Sequence, residues 1–216
     1  AIIYLAFISL GLPDSLLGSA WPTIYEEMNV PISYGGIVSM IISGGTILSS
    51  LLSGKVIKKF GTGWITAISV LMTAVALLGF SVSNAYWMLC LMAIPLGLGA
   101  GSVDAALNNF VALHYEARHM SWLHCFWGIG ATTGPVIVSA CLKAGGDWQS
   151  GYGVISMLQF TLVFVLFVSL PLWKKAGEKS EKEPEEKRVK TENGIFSLIK
   201  IKGAKAALIS CFFYCA

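Results

Sequence analysis

The chain is 216 residues long, 55% hydrophobic and 12% charged, with a mean hydropathy of +0.70 and a formal net charge of +3. Soluble domains carry about 25% charged residues, so this composition argues against a soluble enzyme and for an all-α integral membrane protein. The basic residues gather in loops rather than on a stripe, which offers no surface for nucleic acid.

A helix needs about 20 apolar residues to cross the hydrocarbon core. Six stretches qualify, at residues 1–21, 34–53, 64–83, 86–113, 121–142 and 152–173. Together they define an expected six-helix bundle over residues 1–173. The segment 174–205 is densely charged, without an apolar pattern, and is expected to be a solvated cytoplasmic linker. A seventh apolar run starts at Ala206 and is cut at Ala216. Because both ends of the chain fall inside apolar runs, the expectation is a piece of a longer membrane protein.

Lysine and arginine set the expected orientation. Lys55, Lys58 and Lys59, Arg118 and the ten basic residues between Lys174 and Lys205 fall on alternate loops, leaving only Lys143 on the opposite ones. The first helix therefore runs outward and the Lys-rich segments face the cytoplasm. Trp21, Trp64, Tyr86, Trp87, Trp148 and Trp173 lie at predicted membrane edges, where amphipathic rings settle. Six spans, a charged linker and a further span form the layout of half a twelve-helix transporter built from inverted three-helix repeats.

Two carboxyls interrupt this apolar background. Asp14 follows Pro13 in "SLGLPDSLLG" of the first span, and Asp104 follows a glycine-rich run in "GLGAGSVDAALNN" of the fourth. They occupy equivalent places in helices of opposite direction. Gly97, Gly101, Asp104, Asn108 and Val111 share one helix face. A charge at the bilayer centre costs on the order of 2.5–3.5 kcal/mol on insertion scales, so such acids face a bundle interior or a wet cavity. There a carboxyl that binds and releases a proton suits a proton-coupled carrier; an acid merely satisfied by Ser or Asn is the alternative. In the fifth span, His124 and Trp127 lie three apart on one face. Ring plus polar donor suits a carbohydrate site, and simple packing is again the alternative. Gly130, Gly134 and Pro135 partly match an antiporter pattern, but small residues at this spacing more often form a packing face. The second span offers such a face in Gly36, Ser39, Ser43, Ser50 and Gly54. The third and sixth spans, without ionisable residues, look lipid-facing. The five cysteines, His114 and His119 have no metal-ligand spacing, so no metal site is expected.

"GLPDSLLGSAWP", "GLGAGSVDAALNNFV" and "RHMSWLHCFWGIGATTGP" resemble the major facilitator superfamily, and within it the fucose–proton symporter and bacterial sugar-permease-like proteins. The resemblance covers the whole chain as the N-terminal half of such a protein: six helices of a twelve-helix fold plus the start of a seventh. It implies that Asp14 and Asp104 act in proton coupling and sugar binding, with the proton as the coupling ion and no cofactor. Asp104 stands where that family commonly has Glu, and Asn109 where it has Pro. "GKVIKKFG" resembles the superfamily's loop between helices two and three through Gly54, Lys59 and Gly61, with Lys58 in place of the usual Asp. The implied partners are a small polar solute such as a sugar, the lipid bilayer, in the manner of a bacterial inner membrane, and a C-terminal six-helix half. Proton-driven efflux by the same fold is the second reading; an intramembrane enzyme is the third, and no HExxH or base-paired serine favours it.

Overall fold

A computed structural model describes residues 2–181, and every regular element among them is an α-helix. In chain order these are α1 (Ile2–Asp14), α2 (Leu16–Glu27), α3 (Tyr34–Phe60), α4 (Thr62–Ser81), α5 (Tyr86–His114), α6 (Ala117–Lys143) and α7 (Trp148–Glu181). α1 and α2 are two halves of one span, so six helical rods are long and apolar enough to cross a membrane. Residues 182–216, which hold most of the expected charged linker and the start of the seventh apolar run, lie outside the described residues.

Several helices outrun their apolar cores. α2 continues through Glu26 and Glu27, α3 through Lys58 and Lys59 to Phe60, and α7 past Trp173 to Glu181. At the end of α3 the charged side chains reach into water while the backbone stays hydrogen-bonded, and lysines in a last turn also complement the helix dipole. The expected loop "GKVIKKFG" is thus mostly the end of α3. Gly61 alone separates α3 from α4, at φ 79° and ψ 154°, a region that in practice only glycine occupies.

Contacts at the helix ends define two poles. At one, Tyr4 of α1 meets His119 of α6, Phe110 of α5 meets Trp173 of α7, and Trp173 also covers Gly63 of α4. At the other, the Trp21 indole donates to the Ile32 carbonyl at 2.7 Å, Tyr86 donates to the Tyr34 carbonyl at 3.1 Å, and Glu27 receives Trp148 and Gln149. Consecutive spans therefore alternate in direction, and Lys58, Lys59 and Arg118 fall at the same pole.

Prolines shape the interior. Pro13 has no N–H to give the carbonyl of Ser9, four residues back. That carbonyl instead accepts the Gln159 side-chain N–H of α7 at 2.7 Å, and the Ser9 hydroxyl donates to Gln159 Oε1 at 2.5 Å. Pro135 likewise frees the carbonyl of Ala131, which accepts the hydroxyl of Ser15. In hydrocarbon an unpartnered backbone group costs several kcal/mol, so the two prolines are tolerated because a side chain from another helix takes up each freed carbonyl. Ser15 also marks the break between α1 and α2.

Three expectations need correction. Of the expected small face of α3, Gly36, Ser39, Ser43, Ser50 and Gly54, only Ser50 packs on α5, where its hydroxyl donates to the Gly101 carbonyl at 3.3 Å. A Cβ at Gly36 or Gly54 would meet nothing within 4 Å, and Ser39 and Ser43 are exposed. The face against α5 is Gly45, Thr46, Ser49 and Ser50. Ser49 donates to the Leu98 carbonyl at 2.6 Å and pairs with Ser102, and Thr46 donates to the Gly97 carbonyl at 3.2 Å. Nor are α4 and α7 simply lipid-facing. α4 is the most enclosed of the spans, and α7 buries Ser156 and Gln159 while exposing Met157, Phe164 and Val168. Finally, Trp21 and Trp148 are buried with their indoles hydrogen-bonded to protein rather than set in headgroups. Trp64 and Trp87 are exposed, as membrane-edge rings should be.

Candidate functional site

α1 and α6 meet at glycine. A Cβ on Gly11 would fall on the Trp127 carbonyl, one on Gly130 on the Ile8 carbonyl and one on Gly134 on the Leu12 carbonyl. With no side chain there, the two backbones touch, as small residues permit in membrane helices. Gly130 and Gly134 are thereby accounted for by packing. Together with the Ser15–Ala131 hydrogen bond, this contact fixes the register of α1 against α6 and sets Trp127 opposite Asp14.

The Trp127 indole N–H donates to Asp14 Oδ2 at 2.6 Å. A short bond to a carboxylate is of the charge-assisted kind, roughly twice as strong as a neutral one. Both side chains are exposed, Trp127 to 38%. They lie on a face of the bundle that no described helix covers.

α5 carries the second carboxyl. The glycines before it serve close packing: Gly97 and Gly101 abut the carbonyls of Ile42 and Thr46 of α3, and Gly99 abuts α4. Asp104 then emerges partly buried, and Asn108, one turn on, donates its Nδ2 to Asp104 Oδ1 at 2.9 Å. That leaves Asn108 Oδ1 buried without a partner, an atom that calls for an explanation in any native site. His124 is exposed and stands edge-on to Phe7, ring centroids 6.2 Å apart.

The expected site residues thus stand as two hydrogen-bonded pairs, Asp14–Trp127 between α1 and α6 and Asp104–Asn108 on α5, with His124 one turn before Trp127 on α6. Gly54, Lys58, Lys59 and Gly61 belong to a different place, the end of α3 and its turn into α4. There Lys59 lies over the Phe60 ring, 5.3 Å from its centroid, and the one ion pair among the described residues is Arg118–Glu116 at 2.9 Å. Among the described residues no three His, Cys, Asp or Glu side chains gather as metal ligands. Cys90, Cys125 and Cys141 are free thiols, and Cys211 and Cys215 lie outside the described residues. The sequence reading missed Ser9, Ser15 and Gln159. Gln159 had a signal: it is the one amide in the apolar run "VISMLQFTLVFVLF".

The profile described as Major Facilitator Superfamily matches residues 3–216. The chain belongs to that superfamily. Its relatives include the glucose/mannose transporter GlcP of Bacillus subtilis, 27% identical over 167 residues that cover 76% of this chain and 40% of that protein. Synaptic vesicle glycoprotein 2A of Rattus norvegicus is 25% identical over 198 residues, 89% of this chain and 26% of its own length. Human synaptic vesicle glycoprotein 2B is 22% identical over 174 residues, 79% of this chain and 25% of its own. The chain therefore spans well under half the length of these relatives. A major facilitator protein with six apolar spans is a multi-pass membrane protein, and membership points to transport rather than catalysis.

Proposed function

We propose that the chain is the N-terminal half of a proton-coupled importer of a sugar or similar small polar metabolite, working by alternating access in a bacterial inner membrane. The observation that carries the reading is the presence of two membrane-embedded carboxyls, Asp14 on α1 and Asp104 on α5, neither of them in an ion pair among the described residues. Each is hydrogen-bonded to a neighbour that can also meet a solute, Trp127 and Asn108. Intramembrane acids mark ion or substrate pathways by default. The glucose/mannose transporter among the relatives supports a sugar as the solute.

In this mechanism a carboxyl takes up a proton from the outer side, which lowers the cost of enclosing the site, and the solute binds beside it. A second six-helix half covers the open face, and the two halves rock about the loaded site. The proton then leaves to the cytoplasm. Asn108 holds Asp104 in place, Trp127 offers the face of its ring to the solute, and His124 supplies a charge partner for Asp104. No cofactor is needed, because the gradient supplies the work.

Proton-driven efflux by the same fold is the competing reading. Its sequence support was the partial Gly130–Gly134–Pro135 pattern, and packing of α6 on α1 accounts for both glycines.

The test uses the full-length protein in energised vesicles, with labelled D-glucose, D-mannose and deoxyhexoses, beside Asp14→Asn and Asp104→Asn. Uptake that collapses with an uncoupler and in either variant supports the proposal. Extrusion of lipophilic dyes without sugar uptake would favour efflux. Uptake indifferent to both substitutions would overturn the roles given to the acids.

A further inference from the structure

Trp127 is the aromatic ring held directly by the carboxyl of Asp14, and the helices beneath the pair leave the side chain as the part free to respond. We propose that Trp127 passes the protonation state of Asp14 to the solute: the ionised carboxylate holds the indole against α1, and a proton on Asp14 frees the ring to cover a bound cyclic polyol. The proposal rests on the proton-coupled reading above and adds to it the residue that links the two ligands.

Three observations carry it. The first is the bond itself, indole N–H to Asp14 Oδ2 at 2.6 Å. An indole N–H can only donate, and an ionised carboxylate can only accept. When solvent at the open face delivers a proton to Asp14, one O–H bond forms on the carboxyl and the indole keeps its own hydrogen. The remaining contact is between neutral groups and roughly half as strong.

The second is that the backbones cannot take up the change. Gly11, Gly130 and Gly134 place α1 and α6 in direct backbone contact, and Ser15 bonds across to Ala131. Sliding of one helix on the other would break all of these together. The third is space. One turn on from Trp127, Gly130 and Ala131 have no long side chain, a Cβ at Gly128 would meet nothing within 4 Å, and His124, one turn before, is itself exposed. The ring is 38% exposed, and the Asp14 carboxyl it meets is exposed with it.

Other titratable groups face this pair and enter its pH response. Asp104 of α5 is the other embedded carboxyl, and His124 of α6 stands one turn before Trp127 and is exposed. α7 presents the uncharged Gln159 to α1.

The experiment uses the full-length protein in nanodiscs. The Trp127 indole 1H–15N resonance is assigned by its disappearance in Trp127→Phe, with Trp127→Tyr as a second assignment variant, and is followed across pH 4–9. Wild type is expected to show a resonance that moves with pH, and Asp14→Asn one that does not. A resonance that stays fixed in wild type, or titrates identically in Asp14→Asn, overturns the inference.

Vesicle uptake of D-glucose supplies the second readout. Trp127→Phe keeps a ring but loses the N–H. Its pH profile of uptake is expected to shift by about one unit, the equivalent of a tenfold change in the proton equilibrium, with the half-saturation concentration within ~threefold of wild type. Trp127→Ala, with no ring, is expected to raise that concentration about tenfold or more. An unshifted profile in Trp127→Phe also counts against the inference. The resonance needs no transported solute, so a titrating indole in a protein that carries no sugar would leave this coupling standing while the sugar reading falls.

Discussion

Gln159 closes two hydrogen bonds onto Ser9, one to its hydroxyl and one to the backbone carbonyl that Pro13 leaves without a helical partner. This single side chain joins the first and last described spans and lets the first span carry a proline just before Asp14. All four groups of the pair are buried. Replacing Gln159 with Leu would leave the Ser9 carbonyl alone in an apolar setting, at about 1–3 kcal/mol. The expected outcome is a lower thermal midpoint of the purified protein, with Gln159→Ala no better. An unchanged midpoint would mean that the freed carbonyl has found another partner.

The glycine contact between α1 and α6 separates close approach from mere smallness. A Cβ at Gly130 would fall on the Ile8 backbone, which cannot swing aside, whereas one at Gly128 would enter open space. Gly130→Ala should therefore destabilise by about 1–3 kcal/mol, the usual range for overpacking, and should also weaken uptake by moving Trp127 off Asp14. Gly128→Ala on the same helix, with open space around it, should be neutral or slightly stabilising. Equal effects from the two, read from unfolding curves side by side, would contradict this packing.

Glu27 ties the end of α2 to the start of α7, accepting from Trp148 Nε1 at 2.7 Å and from Gln149 Nε2 at 3.1 Å. Trp148 is fully buried, so Glu27→Ala strands its N–H at a cost of about 1–3 kcal/mol. Substrate affinity should be untouched, because the latch lies at the pole beyond the acids. Thermal unfolding and equilibrium binding on the same preparation check both halves of that statement.

At the α3–α4 turn, Gly61 holds φ 79° and ψ 154° with nothing near its missing Cβ. The obstacle to a side chain is thus the backbone conformation alone. Gly61→Ala should cost about 1–3 kcal/mol, and Gly54→Ala, inside α3 with open space around it, should be neutral or slightly stabilising. A neutral Gly61→Ala in denaturation would show that the turn relaxes.

Asn108 donates to Asp104 and keeps its own oxygen buried. Removing the amide as Asn108→Leu takes away the donor that holds the carboxyl. Hydrogen bonds to charged groups contribute about 1.5–3 kcal/mol, so uptake at subsaturating solute should fall at least about tenfold. Unaltered uptake would place Asp104 outside the pathway.

Much of the architecture was legible in the linear chain for one physical reason. A bilayer demands some 20 apolar residues per crossing, so spans announce themselves by length, and a carboxyl among them stands out by its insertion cost. Six spans and the two acids, Asp14 and Asp104, follow from that alone. Which side of each helix meets a neighbour did not follow. Lipid and protein interior are both apolar, so periodicity carries little information about facing. The small face of α3 was accordingly misplaced by a fraction of a turn, and α4, free of ionisable groups, is enclosed rather than lipid-facing. Trp21 and Trp148 have the composition of headgroup anchors, yet their N–H groups found partners in Ile32 and Glu27.

The sequence by itself determined that this protein is a helical membrane bundle with an acid in its first and its fourth span. Only the tertiary structure decided that Trp127 meets Asp14, that Ser15 and Gln159 rescue the carbonyls freed by two prolines, and that Gly130 and Gly134 are points of backbone contact. Those facts depend on the relative rotation of two helices, which is set by the fit of small residues and single hydrogen bonds between them, and no one helix carries that information alone.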